Sequence, residues 1–441
     1  MAIVVDIAFL LFAIVTMPFW LVSMWKRGKL RTDWSSRLGW RLPQVPEKQV
    51  PEQQAPEQQV PEQNVTKAGA QRAHRILLHA VSVGEVNAAR ILADMLAAAP
   101  INAQVIISVT TDTGIERARK VFGARHTVVR YPFDFSWSVR RFLGAVRPDV
   151  VLLMELEIWP NFTRICANRS IPIAVINGRL SARSFARSLR VRWILSPMFR
   201  RLSRVAAQDQ AYADRFEAMG VARNRITVTG TMKWDTAEIA DHVDGAEELA
   251  QEMGIDRSIP LIVAGSTALG EEILISAACP EGVQLLCAPR KPEWFDQTSR
   301  AMPGSVRRSE KHAGSASGRF VLDTIGELRK AYSLADLVVL GRTFGNLHGS
   351  DMMEPAGLGK VVIVGPRVGD FQSTADALIK SGGLVQTSAE NLRATIAELL
   401  ADPKRREQIA SAARDVIRKE QGASARHAKI AQELLQNRGA K

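Results

Sequence analysis

Two stretches of this chain place carboxylates where a reaction could use them. In His79-Ala-Val-Ser-Val-Gly-Glu85, Glu85 follows Ser82 by three residues, and in Met154-Glu-Leu-Glu157 the acids Glu155 and Glu157 stand two apart. The first spacing is that of a helix capping box, in which the glutamate serves the backbone; a glutamate at a helix start can equally accept the proton of a bound hydroxyl. Both readings stand at this level. In a strand prolonged past Met154, alternation puts Glu155 and Glu157 on one side, and two unpaired carboxylates there are costly unless they line a wet cleft. Arg179, Arg183 and Arg187 recur at i, i+4 and i+8, a helix-face stripe suited to phosphates or simply a solvated arginine face. Ala264-Gly-Ser-Thr267, Ala288-Pro-Arg-Lys-Pro292 and Thr324-Ile-Gly-Glu327 read as turns from strand to helix. Such turns offer backbone N–H groups to a phosphate, and Arg290 adds a fixed charge. No complete GxGxxG, GxxxxGK[ST], GxSxG or HExxH pattern occurs, and the seven histidines are scattered. Serine-hydrolase and metal-dependent chemistry therefore lose their sequence support, and neither a metal nor a cofactor is expected.

The elements that must carry these residues alternate. Short β-branched runs at 76–78, 105–108, 127–130, 150–154 and 173–176 are separated by stretches of helical spacing such as 87–98 and 136–143. The alternation resumes at 261–264, 285–288, 320–322, 337–340 and 361–364. Strands that alternate with helices imply parallel sheets, so the pattern predicts an α/β protein of two Rossmann-like domains facing a cleft. An acidic, weakly patterned stretch at 235–256 marks the join. With 441 residues, 46% hydrophobic and 23% charged, the chain has the material for two such cores and is no disordered chain. Its three cysteines, Cys166, Cys279 and Cys287, exclude a disulfide framework and a cysteine-rich zinc module. The net charge of +13 favours a negatively charged partner without choosing among nucleic acid, anionic lipid and phosphorylated substrate.

The N-terminus narrows that choice. Residues 2–25 are apolar apart from Asp6 and a few small polar side chains, and Lys26, Arg27, Lys29 and Arg31 follow at once. This is the pattern of a membrane anchor with the remainder in the cytoplasm. A buried N-terminal helix is the other reading, since Asp6 and Pro18 weaken a span. From 45 to 64 a pentad repeat, VPEKQ VPEQQ APEQQ VPEQN, favours extended polyproline II and reads as a spacer. The expected organisation is anchor and basic flank at 1–31, linker at 32–66, an N-terminal domain at 67–235 and a C-terminal domain at 236–441.

Taken in order, these segments resemble one family, the 3-deoxy-D-manno-octulosonic acid (Kdo) transferases of lipid A assembly. The resemblance covers nearly the whole chain and rests on HAVSVGE at 79–85, ELEIWPN at 155–161, NGRLSARS at 177–184, TGTMKWD at 229–235, GSTALGEE at 265–272, PRKPEWF at 289–295 and DTIGEL at 323–328. It implies an inverting B-type glycosyltransferase at the cytoplasmic face of the inner membrane. The C-terminal half would hold the donor CMP-Kdo and the N-terminal half a lipid A precursor, with no nucleic acid partner. Carried over residue by residue, Glu85 matches the general base, and Glu155 and Lys233 match a pair that stabilises the transition state. Pro289, Arg290, Ile325, Gly326 and Glu327 match CMP-contacting turns, joined by Asp351, Met352, Met353 and Glu354. The acceptor surface would include Arg179, Arg183 and Arg187.

One region departs from the family pattern. Where a glycine-rich turn and His-Asn-Pro-Leu-Glu are usual, this chain has Asp351 in place of asparagine and Met352 in place of proline, with His348 falling earlier. Two rival readings stay open: a B-type glycosyltransferase for another nucleotide sugar, and a non-catalytic membrane-tethered binder of anionic ligands.

Overall fold

Each apolar run named above falls on a strand, only Leu322 of the run 320–322 lying past its end, because a parallel strand covered on both faces needs a continuous apolar sequence rather than an alternating one. The computed structural model describes residues 6, 7, 10, 11, 16, 32–47, 73–310 and 317–439. Its first sheet contains β1 (Arg75–Ala80), β2 (Gln104–Val109), β3 (Thr127–Arg130), β4 (Val150–Met154), β5 (Ile173–Gly178), β6 (Arg204–Ala207) and β7 (Ile226–Val228). All pairings are parallel, in the order β3-β2-β1-β4-β5-β6-β7. Alternate side chains feed two cores. Leu78, Ile107 and Leu152 pack with Val86, Leu92 and Leu96 of the helix Val83–Ala97 and with Leu434 of the helix Ala423–Gly439. Leu77, Ile106 and Leu153 pack on the opposite face with Phe142 and Phe162.

The second sheet contains β8 (Leu261–Thr267), β9 (Gln284–Pro289), β10 (Val306–Arg307), β11 (Arg319–Val321), β12 (Leu337–Leu340), β13 (Val361–Val364) and β14 (Val385–Gln386). It too is wholly parallel, in the order β10-β11-β9-β8-β12-β13-β14. The chain divides into two compact units, Met1–Thr236 with Gly422–Lys441, and Ala237–Gln421. The expected C-terminal domain 236–441 is therefore not one unit, because the last helix returns to the first sheet. Asp235 fastens that return: one carboxylate oxygen accepts from the Gly422 N–H at 2.6 Å and the other from the Ser424 N–H. His427 of the same helix is fully buried, with Nε2 accepting from the Asn177 N–H at 3.3 Å and lying 3.0 Å from the Thr229 hydroxyl. Burial holds His427 down to about 4, so the ring is neutral and keeps the lone pair that Asn177 needs.

The expected anchor at 2–25 falls almost wholly outside the described residues, as do the basic residues at 26–31 and the pentad repeat from 48 onward. Among the described residues no helix is long and apolar enough to cross a membrane. Asp6, the one acid of the apolar run, is engaged with the first unit. Its carboxylate accepts from the Ser136 N–H at 2.9 Å, from the Ser136 hydroxyl and from the Asn161 side-chain amide at 2.9 Å. Phe135, the N-cap of the helix Ser136–Val146, has no side chain able to cap it, and Asp6 supplies that function from 130 residues away.

Candidate active site

In an open parallel sheet, ligands bind beyond the carboxyl ends of the strands, where the strand order reverses. The reversal falls between β1 and β4 in the first sheet and between β8 and β12 in the second. The turn after β1 leads to Glu85 and the turn after β4 carries Glu155 and Glu157, so three carboxylates gather at the first switch point. Ser82 caps the helix Val83–Ala97, accepting from the Glu85 N–H at 3.5 Å. The Glu85 carboxylate accepts in return from the Val81 N–H at 3.0 Å and the Ser82 hydroxyl at 3.1 Å. Burial pushes Glu85 up to about 7; Glu155 and Glu157 add to the rise, while Val81 and Ser82 oppose it. Glu157 is raised as well, by burial and by Glu155, against an indole N–H donated by Trp159 at 2.9 Å.

The expectation that a prolonged strand aligns Glu155 with Glu157 does not hold. β4 ends at Met154, and Glu155 adopts a left-handed backbone with φ 55°, its N–H donating to the Ile176 carbonyl at 3.0 Å. A non-glycine residue held in that region costs of order 1–3 kcal/mol, and such strain is found mostly at functional sites. Lys233 is exposed on the turn that follows Met232, whose N–H is held by the Asn177 side chain at 3.1 Å. Lys233 forms no ion pair among the described residues. Arg183 and Arg187 are exposed on the helix Ala182–Arg190, but Arg179 precedes its N-cap Ser181 and so stands outside the helical stripe. Beside these arginines Leu189, Val191, Trp193 and Ile194 are all exposed, Trp193 at 79%.

In the second unit, Arg290 follows β9 directly, is exposed, and donates its N–H to the Thr267 carbonyl at 3.0 Å. Ile325 is 73% exposed, and Gly326 takes φ 97°, a conformation that glycine reaches without strain. Glu327 is already engaged: it accepts from the Thr324 hydroxyl at 2.6 Å and from Arg308 at 3.1 and 3.3 Å. Burial works against its charge, yet Arg308, Thr324 and Lys330 together hold it below the ordinary carboxylate range. Met352 and Met353, expected to contact CMP, are buried at 0% and 3% exposure. Asp351 accepts from the Met353 N–H at 2.9 Å. Glu354 is raised, first by burial and then by Asp351.

Glu271, part of the 265–272 motif but assigned no role from sequence, organises the atypical loop after β12. Buried at 5% exposure, its carboxylate accepts from the N–H groups of Ala268 (2.8 Å), Arg342 (2.6 Å), Thr343 (3.0 Å) and Phe344 (3.1 Å). Two glycines permit this close packing: a Cβ on Gly341 would fall 2.4 Å from the Thr267 Cα, and one on Gly265 2.1 Å from the Tyr332 hydroxyl oxygen.

Two wholly parallel Rossmann-like units are a fold that glycosyltransferases share with other nucleotide-sugar enzymes. The chain is similar to a glycosyltransferase from Rickettsia africae, with a TM-score of 0.54 at 13% identity over 83% of this chain and 99% of that one. The family described as 3-deoxy-D-manno-octulosonic-acid transferase (kdotransferase) matches residues 33–236. The 3-deoxy-D-manno-octulosonic acid transferase of Haemophilus influenzae is 30% identical over 79% of this chain and 84% of its own. That of Bordetella pertussis is 30% identical over 77% and 82%. The chain belongs to the 3-deoxy-D-manno-octulosonic acid transferase family and is a glycosyltransferase.

Proposed function

We propose that the protein transfers Kdo from CMP-Kdo to a lipid A precursor at the cytoplasmic face of the inner membrane, held there by residues 2–25. The observation that carries this reading is the meeting of Glu85, held near neutrality, with Glu155 and Glu157 at the switch point of a Kdo transferase family chain. A carboxylate with a pKa of about 7 is matched to taking a proton near physiological pH. Glu85 removes the proton of the acceptor hydroxyl as that oxygen attacks the anomeric carbon of Kdo, and the single displacement inverts the centre. In the second unit the phosphate of CMP is held by Arg290 and the turn amides at 325–327, while Glu155 and Lys233 of the first unit match the family's transition-state pair. Pro289 shapes the turn that presents Arg290.

Arg179, Arg183 and Arg187, with the exposed Leu189, Trp193 and Ile194 beside them, form the surface that meets the anionic acceptor. The decisive experiment incubates the protein with CMP-Kdo and a lipid A precursor, following CMP release and the mass of the lipid. Lipid that gains Kdo as CMP appears supports the reading; CMP release with unchanged lipid mass, or none at all, overturns it. Reversing one charge with Arg183→Glu should raise the acceptor KM and leave the donor KM unchanged. Equal acceptor KM values for the two proteins would remove Arg183 from the acceptor surface.

A further inference from the structure

On the first unit, Arg140, Arg164, Ile165, Asn168 and Arg169 line a cavity of about 220 Å³, to which none of Glu85, Glu155 and Glu157 contributes. Three arginines line it, Arg140 on the helix Ser136–Val146, Arg164 on the helix Pro160–Asn168 and Arg169 just after it, and none forms an ion pair among the described residues. Their known bonds leave most of their donors free. Arg164 donates to the Asn161 side-chain oxygen, and Arg169 donates to the Arg140 carbonyl at 3.1 Å, out of five N–H donors on each guanidinium. Asp134, the carboxylate that acts on Arg164, is buried and spends its oxygens on the N–H groups of Asn161 (2.8 Å) and Phe162 (2.7 Å). Arg201, half-buried, adds a fourth positive charge that Arg164 repels. Arg140 and Arg169 are exposed and form no ion pair among the described residues, and an oxyanion with several acceptor oxygens matches the guanidinium forks they leave open.

Size and position narrow the anion. At about 220 Å³ the cavity is smaller than the roughly 300–1,000 Å³ of most small-molecule pockets, a size that suits a phosphate group. Asn161 joins the cavity to the N-terminal segment, since its side-chain oxygen holds Arg164 and its side-chain nitrogen donates to Asp6 at 2.9 Å. The arginine cavity is thus one residue from the point where the apolar run meets the domain. We propose that the Arg140–Arg164–Arg169 cavity is a phosphate-binding site, separate from the reaction centre, that takes the phosphate of a membrane lipid headgroup. Its lipid occupant rests on the membrane reading given under the proposed function; its affinity for phosphate does not.

The test uses the full-length protein and the double variants Arg140→Ala/Arg169→Ala and Arg140→Lys/Arg169→Lys, with Arg300→Ala/Arg393→Ala as a charge-matched control. Binding is measured to phosphatidylglycerol-containing vesicles, to phosphatidylcholine vesicles and to inorganic phosphate. The thermal transition confirms folding, and CMP release on a detergent-dispersed acceptor reports the reaction centre. The alanine pair should weaken binding to the anionic vesicles about tenfold relative to the control, and the lysine pair should recover only part of it because the planar fork is lost. CMP release should be unchanged in both, so the failure of this site and the failure of the transferase reading are separable. Vesicle binding equal to that of the control overturns the lipid site. If inorganic phosphate binding alone is lost in the variants, the occupant is a free phosphate and the lipid assignment is overturned. If neither phosphate nor vesicle binding changes, the cavity binds no phosphate.

Discussion

Glu85 serves the backbone and the proposed reaction with one carboxylate. One oxygen takes the Val81 N–H and the other the Ser82 hydroxyl, so capping and proton transfer are properties of the same group rather than rival readings. Glu85→Gln separates them, because an amide oxygen can still accept from Val81 but cannot take a proton at neutral pH. We predict a fall in kcat of about 10²-fold to 10⁴-fold with donor affinity unchanged. The stability change has a definite sign. The folded value near 7 lies above the ordinary 4.5, so between those limits the native state binds more protons than the unfolded chain and wild-type stability declines as pH rises. Glutamine removes that decline: the variant should melt higher than wild type on the alkaline side of the window, the difference shrinking toward its acid side. Near-normal kcat together with a lower melting temperature at alkaline pH would leave Glu85 as a cap alone. A second consequence concerns Glu155, whose charge helps raise Glu85. The acid limb of the kcat/KM profile should lie near pH 7 in the wild type and move to lower pH in Glu155→Gln; an unmoved limb would mean that another group sets it.

At the scale of elements, the loop after β12 shows how a buried carboxylate can shape a ligand-facing turn without touching ligand. Glu271 accepts four backbone N–H bonds, three of them from Arg342, Thr343 and Phe344. In Glu271→Gln one oxygen becomes an NH₂ group facing N–H donors, and each donor left unsatisfied costs about 1–3 kcal/mol. The expected result is a raised CMP-Kdo KM and a lowered melting temperature of the second unit, measured by steady-state kinetics and calorimetry; an unchanged KM would show that the loop does not contact the donor. The link to the loop could not be read from the sequence, since Arg342, Thr343 and Phe344 lie some seventy positions away from Glu271. The central strands could be read, because β1, β2, β4, β8, β9, β12 and β13 are buried along their whole length and each carries an apolar run of three or more residues, as burial on both faces requires. β6, β7, β10 and β14 carry two to four residues each, with Arg204, Thr227, Arg307 and Gln386 among them, and give no comparable signal. Glu85 and Glu155 stood out through their motifs, whereas Asp6, Glu271 and His427 act through contacts far apart in sequence. The arginine stripe was legible only in part, since helical spacing continues through Arg179 while the helix itself begins at Ala182.

For the whole molecule the two ends of the chain carry unequal weight. The N-terminal segment meets the first unit through Asp6, which caps the helix Ser136–Val146, and loss of such a cap costs about 1 kcal/mol. The C-terminal helix Ala423–Gly439 instead covers one face of the first sheet, burying Ile430, Leu434 and Leu435 to within 6–8% exposure and His427 completely. Three large apolar side chains at about 1.5–3 kcal/mol each amount to roughly 5–9 kcal/mol, comparable with the entire stability of an ordinary domain. Two truncations should therefore behave differently. Deleting residues 1–31 should leave both units folded, with a modest drop in melting temperature and activity retained on a detergent-dispersed acceptor. Deleting residues 422–441 should abolish the cooperative transition of the first unit, while the second unit, whose core lies within Ala237–Gln421, keeps its own transition and its affinity for CMP. Calorimetry on the two truncated proteins, with CMP titrated into each, reads both outcomes. Survival of the first unit's transition without residues 422–441 would mean that the helix only rests on the sheet; loss of that transition without residues 1–31 would mean that the apolar run is part of the core.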